Sequence, residues 1–234
     1  MKSNKQEDQA WIDWRENFHK LYDESNYSSS LQTWVMHASH RLLEKAFSER
    51  DHFSKVLEVG AGTGEHTQFI RHGFDHYIIS DQDPKTLDIA KSKIADNIKS
   101  RFLFETQTGE SINYPDSSFD RVIAAHVVEH IPHPHLAIKE LARVVKDGGV
   151  LSILLPTDPG VAWRLGRMLG PRKNAYAAGI AYDYVMAREH VNSCVNLRAI
   201  LRHYFPEGKE SWWPLHIPSV DLNLFYAFHA EIKK

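Results

Sequence analysis

Apolar residues along the 234-residue chain recur with two different periods, and the switch between them maps the elements. Over residues 9–24, Trp11, Trp14, Phe18 and Leu21 return at the spacing of one helix face. A second helix is expected over 31–48, started by the run Ser28, Ser29 and Ser30. The pattern then changes to short apolar runs bounded by turn residues. Val56 to Val59, HYIIS ending at Asp81, RFLF, FDRVIAA and VLSILLP read as five strands. Helical stretches alternate with them: about Glu65 to Arg71, PKTLDIAKSKIA with Pro84 in its first turn, and HLAIKELARVV closed by Gly148 and Gly149.

Strands separated by helices over 55–156 predict an α/β, doubly wound, mostly parallel sheet. Right-handed crossovers would bring every strand-to-helix loop to the carboxyl edge, where ligands of such sheets bind. Beyond Thr157 the pattern breaks into Gly-, Arg- and Tyr-rich helical pieces, followed by a helix over Cys194 to Tyr204. SWWPLHI and DLNLFYAFHAEI then read as an antiparallel hairpin turning at Pro218-Ser219. The expected organisation is one domain over 1–234. It comprises an N-terminal helical lid (1–50), a core (54–156), a helical insert (157–205) and a terminal hairpin (209–232).

Composition narrows the function classes. Hydrophobic residues make up 42% and charged residues 25%, as in ordinary globular proteins. A net charge of −2 and the lack of a basic, aromatic-interleaved domain argue against nucleic acid as partner. No run approaches the roughly 18 apolar residues of a membrane span, so no integral membrane association is expected. The first residues lack the apolar core of a signal peptide. Cys194 is the single cysteine, which excludes an intramolecular disulfide and a thiolate zinc site. The combination predicts a cytoplasmic protein; oligomeric state is not encoded in any of it.

The candidate chemistry starts at VLEVGAGTGEHT, residues 56–67. Gly60 and Gly62 permit a sharp turn and close approach of a ligand to the amides, and Gly64 permits tight helix packing. Glu58 ends a buried strand, where a carboxylate is costly unless something such as a cationic ligand group offsets its desolvation. Asp81 ends the next strand and can accept both hydroxyls of a ribose; capping the following helix is the alternative for Asp81 and the simpler reading of Asp83. A dinucleotide fingerprint would need glycine at 65, where Glu65 stands and would repel a pyrophosphate.

These blocks resemble the class I S-adenosylmethionine-dependent methyltransferases, over roughly residues 54–156. The glycine segment, DQDPKTLDIAK and the stretch from Gly109 through GGVL are similar to that family's motifs in order. The resemblance implies a Rossmann-like seven-stranded sheet with one antiparallel strand, and S-adenosyl-L-methionine as cofactor. It assigns the cofactor to Glu58, Gly60, Ala61, Gly62, Thr63, Gly64, Asp81, Gln82, Gly109, Glu110, Ala125 and His126. Thr108 stands where the family usually has Asp, which leaves the Gly109 backbone and the Glu110 side chain for the adenine.

The implied function is in-line transfer of a methyl group to an O, N or C nucleophile of a small-molecule or lipid-like acceptor. The alternatives are a cofactor-binding partner or sensor without turnover, and an NAD-dependent oxidoreductase. His126 and His190 are the candidates for acceptor positioning or proton removal, against a helix-start histidine and a polar cap respectively. His130, His133 and His135 are splayed by prolines, and no metal is expected. AAHVVEH after the fourth strand lacks the Asn/Asp-Pro-Pro-Tyr of nucleobase and glutamine amide methylases. Arg164, Arg167 and Tyr182 in the insert are candidate acceptor contacts for a carboxylate or phosphate, or else part of a solvated basic face. Tyr22 and Tyr27 would reach the site if the aromatic N-terminal helix is a lid; a lipid-docking face is its other reading.

Overall fold

A computed structural model describes residues 9–14 and 30–234; Phe18, Leu21, Tyr22, Tyr27, Ser28 and Ser29 lie outside the described residues. Seven strands form one sheet: β1 (His52–Val59), β2 (Gly73–Asp81), β3 (Phe102–Thr106), β4 (Phe119–Ala125), β5 (Val145–Pro156), β6 (Lys209–Trp213) and β7 (Phe225–Glu231). Their order is β3-β2-β1-β4-β5-β7-β6. The first five are parallel, and β7 enters antiparallel between β5 and β6. The strand order reverses at β1, so the β1 and β4 ends form the crevice where such sheets take ligands.

Helices cover both faces, as the alternation predicts. On one face lie α1 (Ser30–Glu44) and α2 (Pro84–Lys93), whose Leu42, Leu43, Leu87 and Ala90 pack on Val56, Ile79 and Ile123. On the other lie α3 (Pro134–Val144) and α7 (Cys194–Tyr204), with Ile138, Leu141, Leu197 and Leu201 against Leu57, Val122 and Ile153. Between β5 and α7 the insert forms α4 (Val161–Leu169), α5 (Pro171–Ala177) and α6 (Tyr182–Glu189).

Several expected boundaries move, three of them for a visible reason. The helix after β1 is a short 3-10 turn, Glu65–Phe69, because the Glu44 carboxylate accepts the Arg71 N–H at 3.2 Å and stops propagation. α3 ends at Val144 rather than at Gly148-Gly149: Val145 is already extended and pairs with Phe119, while Gly148 (φ 73°) lies in a bulge before β5 rejoins β4 at Val150. The terminal hairpin has a longer connection than Pro218-Ser219, from Pro214 to Leu224, held by Asn223, whose amide donates to the Ile217 and Ser219 carbonyls at 2.8 Å.

The face beneath α1 carries a polar row inside the core. Arg121 of β4 is fully buried, with Nη2 2.7 Å from Glu44 Oε1 and Nε donating to Ser152 Oγ. Phe47 lies 3.9 Å from its guanidinium carbon, and His229 meets Ser152 at 3.0 Å. The segment 9–14 is helical and packs on the insert: Trp14 is buried among Ala175, Ile180, Tyr182 and Val185, and its indole N–H donates to Glu189 at 3.0 Å. Trp14 is therefore not available as a lipid-docking residue.

Candidate active site

The loop after β1 reverses the chain through three residues with positive φ, Gly60 (65°), Gly62 (54°) and Gly64 (74°). Gly60 is glycine for a protein reason. A Cβ there would collide with Val127, 2.8 Å from that residue's own Cβ, so the loop after β4 presses on the glycine turn where a ligand was expected. Gly62 is different: a Cβ on it would meet nothing within 4 Å, which leaves open space above its backbone. Gly64 packs on Ala90 of α2.

Asp81 at the end of β2 fixes this loop. Its two oxygens accept the N–H groups of Gly62 (2.9 Å) and Asp83 (3.0 Å), and Asp83 caps α2 through Lys85 N–H. Each carboxylate oxygen retains a further lone pair for a ligand hydroxyl. Ala61 N–H donates to Ser80 C=O at 3.0 Å, and Lys93 reaches Thr63 at 2.9 Å. Gln82 and Glu110 are exposed at the same edge, with Glu110 3.2 Å from His133 Nδ1, and Gly109 packs beside Ile131.

Glu58 corrects the expectation attached to it. Its side chain turns into the core beneath α1, where the Tyr77 hydroxyl donates to it at 2.6 Å. Burial pushes its carboxyl up, with Tyr77 and the charges of His66 and Arg121 opposing. The protein thus gives this buried carboxyl a hydrogen-bond donor of its own in Tyr77.

The loop after β4 brings a second group together. His126, with φ 56°, lies at the edge of the core, its Nε2 2.9 Å from Ser39 Oγ. Ser39 donates its own proton to Met36 C=O at 2.6 Å, so it accepts from His126, and the imidazole carries its hydrogen on Nε2. Burial pushes His126 down to about 3, with neighbouring histidines adding to the effect. That makes it a weak base suited to positioning. Glu129 is buried, its Oε2 has no hydrogen-bond partner among the described residues, and Oε1 lies 3.9 Å from both His126 Nδ1 and His130 Nε2. Burial raises its carboxyl. His130 moves the other way: burial would lower it, but Glu189 and Glu129 hold it at about 9.

The insert closes onto this loop. Asn192 donates to Ile131 C=O at 2.7 Å, and its N–H bonds to Glu129 C=O. His190 stacks edge-on against His130, ring centroids 5.0 Å apart, and its Nδ1 lies 2.8 Å from Asp158 Oδ2. Burial raises Asp158, yet the bonds and charges of His190 and Arg167 outweigh it and leave the carboxyl below its ordinary value. An ionised Asp158 orients His190 with Nδ1–H inward and Nε2 as the basic nitrogen.

Arg167 and Tyr182 are not free acceptor contacts. Arg167 donates to the Tyr182 hydroxyl at 2.9 Å and meets Asp158 at 3.3 Å, so both act inside the insert. Arg164 is exposed on the outer side of α4. Sequence reasoning missed Glu129, Asp158, Ser39 and Val127. Asp158 had a usable signal, since it follows β5 at the carboxyl edge; the others had none, because contact with α1 and with the glycine loop is not periodic in the sequence.

The matched family, described as a methyltransferase domain, covers residues 57–153. A 2-methyl-6-phytyl-1,4-hydroquinone methyltransferase of Oryza sativa subsp. japonica is 36% identical over 110 residues, 46% of this chain and 32% of that protein. A ubiquinone/menaquinone biosynthesis C-methyltransferase of Stutzerimonas stutzeri is 26% identical over 146 residues, 61% of this chain and 57% of that protein. The chain thus spans less than two thirds of either relative. In fold, a Thermotoga maritima SAM-dependent methyltransferase, possible histamine N-methyltransferase, superposes with a TM-score of 0.61 at 15% identity, over 97% of this chain and 100% of that one. Strand order, glycine loop and family match agree: residues 57–153 match a methyltransferase domain, on a sheet ordered as the resemblance to the class I S-adenosylmethionine-dependent family implies.

Proposed function

We propose that the chain transfers a methyl group from S-adenosyl-L-methionine to a hydroquinone-like phenolic acceptor bearing an apolar tail. The residues fit the donor. The open space above the Gly62 backbone, which a side chain would fill, would accommodate the amino-acid part, and the half-exposed Asp81 carboxylate would take the ribose hydroxyls. Gln82, Gly109 and Glu110 would line the adenine, and Ala125 and His126 would border the reacting end. When bound, such a donor supplies an electrophilic methyl group and a thioether leaving group.

The observation that carries the acceptor reading is the Asp158–His190 pair, Nδ1 to Oδ2 at 2.8 Å, beside buried Glu129. A phenol ionises near pH 10, so it needs a base at neutral pH. His190 Nε2 removes the phenolic proton, Asp158 stabilises the imidazolium so formed, and electron density moves onto the ring oxygen and carbons. The names of the two curated relatives support the same acceptor class. Helices α6 and α7, with Asn192, would shield the reacting atoms from water.

The test is release of S-adenosylhomocysteine with hydroquinones, with and without an isoprenoid tail, against amines and carboxylates. His190→Ala and Asp158→Asn are expected to lower kcat by about 10²–10⁴ on hydroquinones, with S-adenosylhomocysteine affinity by calorimetry unchanged. Turnover of amines alone, or full turnover by His190→Ala, would remove the acceptor reading.

A further inference from the structure

Helix α4, VAWRLGRML, is turned inside out relative to its surroundings. A helix on a globular protein normally buries its apolar stripe. Here Val161, Leu165, Met168 and Leu169, spaced i, i+4, i+7 and i+8, form one stripe, and they are 52%, 54%, 58% and 84% exposed. The inward side carries Trp163, packed on Phe225, and Arg167, bonded to Asp158 and Tyr182. The apolar surface continues past both ends of the helix. Gly170 abuts Gln32 in the first turn of α1, whose Leu31 and Trp34 are 67% and 53% exposed. At the other end, Val161 and Ala162 N–H groups bond to Asp221, next to half-exposed Leu222.

Two cations border this stripe. Arg164 lies on the same outer side of α4 and Lys173 on α5; both are exposed, and neither side chain makes a hydrogen bond or ion pair among the described residues. Arg172, by contrast, is held by Asp183 at 2.7 Å. An exposed apolar ridge flanked by cations without partners among the described residues is the form of an interfacial helix, whose apolar side chains enter the acyl boundary while the cations reach the headgroups. A second copy of this chain is a poorer occupant. Nine residues of helix are about 13 Å long, a footprint well below the roughly 800 Å² per partner of a stable dimer.

We propose that α4, together with the start of α1, docks this protein on the surface of an anionic lipid bilayer. The helix joins that surface to the chemistry: its outer side meets lipid, and its inner side holds, through Arg167, the carboxylate that orients His190. Docking would place the acceptor side of the site at the depth where a lipid-tailed molecule presents its ring. The docking itself does not depend on the acceptor reading.

The experiment is flotation of the full chain with phosphatidylcholine vesicles and with vesicles containing phosphatidylglycerol. On the same samples, S-adenosylhomocysteine binding is followed by calorimetry and oligomeric state by sedimentation. The wild type is expected to float with the anionic vesicles, less at high salt and less with neutral lipid. The double variant Leu165→Glu/Met168→Glu is expected to lose roughly tenfold or more of the partitioning, and Arg164→Glu part of it. Neither variant should alter ligand affinity or the circular dichroism spectrum, since the replaced side chains face outward. Wild type that stays with the aqueous fraction, or a double variant that floats equally well, overturns the proposal. So does a dimer that Leu165→Glu/Met168→Glu dissolves without any vesicle binding. Failure of ligand binding with intact flotation would instead count against the donor reading alone.

Discussion

At the scale of single residues, the contact between Gly60 and Val127 joins the two loops that make the site. Gly60→Ala adds a Cβ that Val127 already occupies, at a φ of 65° where a side chain costs a further 1–2 kcal/mol or so. The substitution is expected to weaken S-adenosylhomocysteine binding at least about tenfold and to lower the unfolding midpoint. Adding Val127→Ala should relieve the collision but not the backbone strain, so affinity should return only in part. Calorimetry and thermal unfolding on the two variants measure this. Full recovery would mean that strain at Gly60 contributes nothing. Glu58 teaches the opposite lesson about single residues. In the sequence a buried acid at a strand end calls for a partner, and Tyr77, from the neighbouring strand, donates to it. Which partner compensates a buried charge depends on strand register, here Leu57 opposite Ile78, and register is not written in either strand alone.

At the scale of elements, the central strands were legible because burial on both faces demands continuous apolar runs, and the amphipathic α7 begins and ends at the expected Cys194 and Tyr204. The role of α1 was not legible. Its buried side includes Ser39, His40 and Glu44, residues that a hydrophobicity pattern assigns to solvent. Those same residues tie the helix to the site and the core: Ser39 to His126, His40 to His66 at 3.1 Å, and Glu44 to both His66 and Arg121. Glu44 and Arg121 are both fully buried, so removing one leaves an uncompensated charge in the core. Glu44→Ala is expected to cost about 3–5 kcal/mol of stability, whereas Glu44→Leu/Arg121→Met should lose much less or nothing. Urea unfolding of the single and double variants distinguishes a structural pair from an incidental one; equal losses in both would dismiss it. The same blindness applies to α4, whose periodicity is a correct helix signal that says nothing about which side meets solvent.

At the scale of the whole molecule, the number of histidines buried in neutral form sets a pH limit on the fold. Burial is the main cause in each case. It pushes His72 down to about 4 and His126 and His229 down to about 3, and it lowers His40 well below its ordinary value. In the unfolded chain these rings titrate near 6.5, so between that value and the folded one the unfolded state binds more protons. Their contribution is therefore complete above about pH 6.5 and is lost on acidification, by up to about 1.4 kcal/mol per pH unit for each ring. Glu44, held down by Arg121 and His66 against its own burial, adds a further loss only below the ordinary carboxylate range. Opposing contributions come from Glu58 and Glu129, whose raised carboxyls favour the folded state as pH falls, and from His130, whose stabilisation is complete below about 6.5 and fades as pH rises through about 9. Four rings against these groups make the acid limb the steeper one. Stability is expected to peak near neutral pH and to fall by several kcal/mol towards pH 5, with a shallower decline above pH 8. His72→Phe and His229→Gln should each flatten the acid limb by up to about 1.4 kcal/mol per pH unit, read from urea midpoints at half-unit steps. If the limb keeps its slope in both variants, the acid sensitivity comes from other groups.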